Sequence, residues 1–134
     1  MEFKDMVMLY SKETVGTVEG TVEKIKRAAA ENQFGVLGIY NLKEKMADKG
    51  VEFGPECRIV EVCNPKQAKK VLEGNMSIST ALPCRISVWQ EGNKTKVATI
   101  KPTLLLDLFA SPELKPVAEQ VEQVLIKIIN TACQ

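Results

Sequence analysis

The spacing of hydrophobic and polar positions changes several times along the chain, and each change marks an element. Residues 5–12 alternate, with Val7 and Leu9 on one side and Met6, Met8 and Tyr10 on the other, which predicts a first strand buried on at least one face. Thr17 then stands where a helix N-cap belongs. Val18, Val22, Ile25 and Ala29 follow at helical spacing and lay one apolar stripe against a core. Gly16 and Gly20 beside this start lack the Gly-Lys-Ser/Thr of a phosphate loop, so they read as strand end and first helical turn. Phe34 to Tyr40 is aliphatic on both parities and predicts a second strand. Leu42 to Lys49 predicts a short charged helix stopped by Gly50.

The stretch from Glu56 to Pro65 organises the middle of the chain. Cys57 to Cys63 reads as a strand that turns directly into a helix, because Asn64 is a favoured N-cap and Pro65 loses nothing at a first helical position. Ala68, Val71 and Leu72 supply that helix's inner face, and Gly74-Asn75 ends it. Leu82 to Gln90 predicts a strand on which Cys84, Ile86 and Val88 alternate with Arg85, Ser87 and Trp89. The run 91–94, Glu-Gly-Asn-Lys, predicts a hairpin turn, with Thr95 to Ile100 returning antiparallel. A short helix is expected from Pro102 through Phe109. Ser111-Pro112 opens the last helical region, whose stripe is Val117, Val121, Val124, Leu125 and Ile128, with Pro116 marking its true start or a kink. Alternating strands and helices with one late hairpin predict an α+β domain over residues 1–134. The expected architecture is a two-layer α/β sandwich: a mixed sheet of about five strands with helices mainly on one face.

Composition narrows the function classes. Eighteen basic residues against 17 acidic ones leave a net charge of +1, with no basic block of the kind that follows a nucleic-acid backbone. The apolar runs are far shorter than the ~20 residues needed to span a bilayer. The segment Met1-Glu-Phe-Lys-Asp has no basic region followed by an apolar core, so a cytoplasmic location is expected, with the four cysteines as reduced thiols. The chain has no histidine. That removes Ser-His and Cys-His nucleophile pairs and the usual zinc-enzyme ligand sets, and no catalytic constellation is visible.

Candidate chemistry gathers at the cysteines. Cys63 lies just before a helix N-terminus, where the dipole and unpaired N–H groups can lower a thiol pKa; the competing reading is a small core residue. Cys84 has the same two readings. The spacing Cys57-x5-Cys63 is not a zinc knuckle, so no metal and no cofactor is expected, and Cys133 near the end of the sequence reads as incidental. Arg58 and Arg85 each follow a cysteine. They either grip an anion bidentately or pair with a neighbouring carboxylate such as Glu61. Two topologies remain open. A parallel crossover would leave Cys63 about 20 Å from Cys84, whereas an antiparallel return through residues 77–81 would bring them to one end of the sheet. Trp89, on the polar parity of its strand, reads as an interface anchor for a homodimer.

The segments Phe34-Gly35-Val36-Leu37, Val62-Cys63-Asn64-Pro65 and Leu82-Pro83-Cys84-Arg85-Ile86-Ser87-Val88 together resemble the bacterial and archaeal family known as domain of unknown function 302. The resemblance implies a small two-layer α/β fold that tends to dimerise, and it brings no established activity, substrate or cofactor. The functional expectation is a dimeric, non-enzymatic binding module. Its pocket would lie near Cys63, Asn64, Cys84 and Arg85, with Arg58 as a further candidate, and would take a small anion or a thiol-reactive molecule. The alternatives are a thiol redox enzyme or sensor using Cys63, and a purely structural dimer.

Overall fold

The computed structural model describes residues 2–134, the side chain of Met6 apart. In chain order the elements are α1 (Phe3–Met8), β1 (Leu9–Thr14), α2 (Val18–Glu31), β2 (Gly35–Asn41), α3 (Leu42–Asp48), β3 (Cys57–Cys63), α4 (Pro65–Gly74), β4 (Cys84–Glu91), β5 (Lys94–Ile100), α5 (Pro102–Leu108) and α6 (Lys115–Ala132). Single 3-10 segments at Met76–Ala81 and Pro112–Leu114 precede β4 and α6.

Local chemistry sets most of these boundaries. The Thr17 hydroxyl accepts from the Gly20 N–H at 3.0 Å, and the Asn41 side chain does the same for Glu44 at 3.0 Å, so α2 and α3 start on side-chain caps. Gly50 beyond α3 and Gly92 in the β4–β5 hairpin have φ of 78° and 63°, a region that a Cβ disfavours. Pro102 and Pro116 sit in the first turns of α5 and α6, where no donor is missed.

The opening strand is displaced. Residues 3–8 coil into α1, and β1 runs only from Leu9 to Thr14 instead of from residue 5. The reason lies in the partner. Leu9 faces Ile100, the last residue of β5, and the Lys101 N–H donates to the Met8 carbonyl. Pro102 then starts α5, so no ladder remains for the residues before Met8, and a helix satisfies their backbone locally.

The five strands form one sheet in the order β1-β5-β4-β3-β2. The two-layer α+β architecture is as the pattern predicts, but each neighbouring pair is antiparallel, which corrects the expected mixed sheet. The difference arises after β3. Instead of crossing over the sheet, α4 and the 3-10 segment 76–81 make an excursion out and back at one end, so β4 enters beside the point where β3 left. Val62 accordingly faces Cys84, and Cys57 faces Trp89.

One face of the sheet carries Val60 and Val62 of β3, Ile86 and Val88 of β4, and Val97 of β5. Against it lie Val22, Ile25 and Ala29 of α2 and Leu125, Ile128 and Ile129 of α6, all buried in one cluster. Side chains of adjacent strand residues alternate in direction, so the same strands turn Ile59, Glu61, Arg85, Ser87, Trp89, Lys96 and Ala98 to the opposite face. A smaller apolar cluster of Ile78, Leu106, Leu114 and Ala118, joined by Val71 and Leu82, gathers α4, α5 and the start of α6 beyond the main core. Among the described residues no helix is long and apolar enough to cross a membrane.

Candidate functional site

The site grows out of the turn from β3 into α4. Asn64 accepts the Gln67 N–H at 3.2 Å, which fixes the first turn of α4, and Pro65 occupies its first position. The return path ends in a cis Leu82–Pro83 bond, after which Cys84 opens β4. Between the ends of β3 and β4, the inner side of α4, and helices α5 and α6 lies a cavity of about 80 Å³. It occupies the seam between the two apolar clusters.

Cys63, Asn64 and Cys84 all border this cavity, so the antiparallel return brings the two cysteine segments to one end of the sheet. The rest of the wall is mainly aliphatic, including Val62, Ala68, Val71, Leu105, Leu106 and Val121. Helix α5 is fixed over it by α6: Glu122 accepts from the Thr103 N–H at 3.2 Å and from its hydroxyl at 2.7 Å, capping α5 from another element. Gln67 reaches from α4 towards α6 and donates through Nε2 to Gln120 Oε1 at 2.9 Å. Its own Oε1 is buried without a hydrogen-bond partner.

The thiols are not poised as nucleophiles. Burial pushes the Cys63 pKa up. Cys84 is pushed up to about 11, by burial first and then by the nearness of Cys63. Both shifts run opposite to the lowering that a helix N-terminus could give. The N–H of Gln67 is already taken by Asn64, and the apolar wall withholds the solvation that a thiolate needs. Cys133 packs against the main core away from this cavity and is likewise raised by burial. Cys57, at the other end of β3, faces Trp89. Among the described residues no cluster of three or more His, Cys, Asp or Glu is placed to hold a metal ion.

The arginines stand apart from the cavity. Arg85 adjoins Cys84 in sequence but projects from the opposite face, where its Nε donates to Glu61 Oε2 at 3.1 Å and its side chain remains 65% exposed. Glu61 itself is buried and also accepts from the Tyr40 hydroxyl at 2.9 Å, a bond that raises the Tyr40 pKa. Arg58 lies five residues up β3 from Cys63, roughly 16 Å at about 3.3 Å per residue. It faces Val88 and Asn41, and its Nε is buried without a partner. Trp89 is half-buried on the face that Arg85 shares.

Several lining residues escaped the sequence pattern. Leu105, Leu106, Ala118 and Val121 belong to helices whose apolar positions read as ordinary core, and only the meeting of α5 with α6 makes them a wall. Gln67 had a weak signal, since it stands three residues after an N-cap, where a side-chain amide is common.

No curated protein matches the chain. In three dimensions it is similar to the crystal structure of an uncharacterized conserved protein DUF302 from Bacillus stearothermophilus. The TM-score is 0.89 and the identity 32%, over 95% of this chain and 98% of that one. The family model described as domain of unknown function DUF302 matches residues 10–132, which run from the second residue of β1 to the end of α6, and the chain therefore belongs to that family.

Proposed function

We propose that the chain is a non-enzymatic binding module that acts as a homodimer and takes a small molecule in the cavity at the β3–α4 turn. The observation that carries this reading is the cavity itself: an apolar space of about 80 Å³ bordered by both motif cysteines, Cys63 and Cys84, and by the capping residue Asn64. With Arg85 on the far face and Arg58 well up the strand, the surroundings favour an uncharged ligand over an anion. Redox use of Cys63 has burial against it, because attack requires the thiolate and both thiols are shifted upward. Crystals pressurised with xenon should show it between α4 and α5, and soaks in sulfate or phosphate should leave the same place without anion density. A cavity that takes no xenon would sink the reading.

The homodimer would form through the sheet face that carries Trp89. Along it Tyr40 is 39% exposed and Ile100 42%, beside the half-buried Ile59 and Leu9. Aromatic and aliphatic residues paired across strands, with Arg85 among them, match the enrichment in aromatic residues and Arg at interface centres. Sedimentation at micromolar concentration should give twice the chain mass, and Trp89→Glu should give the single mass. A wild-type chain that sediments as a monomer would remove this part of the reading and leave the cavity untouched.

A further inference from the structure

We propose that the ligand of this cavity is a small uncharged molecule with an aliphatic body and one O–H or N–H donor, and that Gln67 Oε1 is the group that selects it. This rests on the cavity being a binding site, as proposed above, and adds the chemical class of what it binds. Charge is unfavourable here because no residue lining the cavity is ionic at neutral pH: Cys63 and Cys84 stay protonated, and the remaining wall is aliphatic, aromatic or amide. A buried anion or cation would have no counter-charge.

A purely apolar ligand is also incomplete. Gln67 lines the cavity, spends its Nε2 donor on Gln120, and keeps a buried Oε1 with no partner. Buried carbonyl oxygens are nearly always paired, with protein or with water, and a donor carried by the ligand would meet this one in place of a water. Size sets the other limit. Since a water needs ~10–15 Å³ of such volume, the cavity holds about five to eight water-sized groups, the bulk of a five- or six-carbon chain with one polar end.

Three probes of matched size separate these requirements: pentan-1-ol, which has the donor; butyl methyl ether, which has the same heavy-atom count and no donor; and pentanoate, which is charged. Amide shifts of Gln67, Ala68, Val71 and Leu105 in ¹H–¹⁵N spectra give each affinity. Pentan-1-ol should bind about five- to tenfold more tightly than the ether, the worth of one well-made hydrogen bond, and pentanoate more weakly than either. Gln67→Leu and Gln67→Met, two replacements of similar length, should both bind the alcohol and the ether equally. Equal binding by the wild type, or a preference that survives in a folded Gln67 variant, overturns the donor assignment while leaving the cavity a binding site. Failure of all three probes overturns both.

Discussion

Cys84 offers the sharpest test of the energetics at the β3–α4 corner. Its pKa rises from an ordinary 9.0 to about 11, mainly through burial. At about 1.4 kcal/mol per pH unit, this difference corresponds to roughly 3 kcal/mol between the folded and unfolded chain. The folded value is the higher one, so the contribution is fully present below the unfolded pKa of 9.0 and disappears as pH rises through about 11. Against a typical domain stability of ~5–15 kcal/mol, the loss is large enough to measure by urea denaturation. Tyr40, held up by its hydrogen bond to Glu61, and Cys63 and Cys133, held up by burial, act in the same direction. The quantity to read is therefore the difference in pH dependence between wild type and Cys84→Ala, which removes one thiol and leaves the others. The same shift implies that native Cys84 carries about 100-fold less thiolate than an unfolded cysteine in mildly alkaline buffer, so iodoacetamide should label it correspondingly slowly. Labelling of native Cys84 at the unfolded rate, or a wild-type pH dependence identical to that of Cys84→Ala, would refute the burial argument.

Other perturbations test separate parts of the fold. Leu125→Ala removes a fully buried side chain from the contact between α6, α2 and the sheet and should cost about 2–5 kcal/mol in chemical denaturation. Asn64→Ala removes the cap of α4 and should cost about 1 kcal/mol, with faster amide exchange at Gln67 as the local signature. Gly92→Ala places a Cβ at a φ of 63°, where nothing lies within 4 Å, so its cost is backbone strain alone, about 1–2 kcal/mol by thermal unfolding.

Much of the architecture was legible because its causes are local. The stripe of Val18, Val22, Ile25 and Ala29, the caps at Thr17 and Asn64, the stop at Gly50 and the hairpin at Gly92 each follow from a few neighbouring residues, and each forms where its pattern places it. Residues 5–8 were not legible in this way. An apolar run such as Met6 to Tyr10 fits a strand or a helix, and the outcome depended on where β5 ended some ninety residues later. The candidate site divides along the same line. Cys63, Asn64 and Cys84 stood out in sequence, whereas Gln67 and the walls of α5 and α6 acquired their place only when distant elements packed together.

Beyond residue 8 the sequence by itself determined the kind of each main strand and helix, most of their ends, and the apolar stripe that each presents, since periodicity and capping act over a few residues. The tertiary structure alone decided that the sheet is antiparallel, that Cys63 and Cys84 share one end of it, and that Arg85 turns away from the thiol beside it. The first two depend on the direction in which α4 and the following 3-10 segment return the chain, which no local pattern encodes. The third follows from the alternation of side chains along β4 once the packing of α2 and α6 has fixed which face is inside.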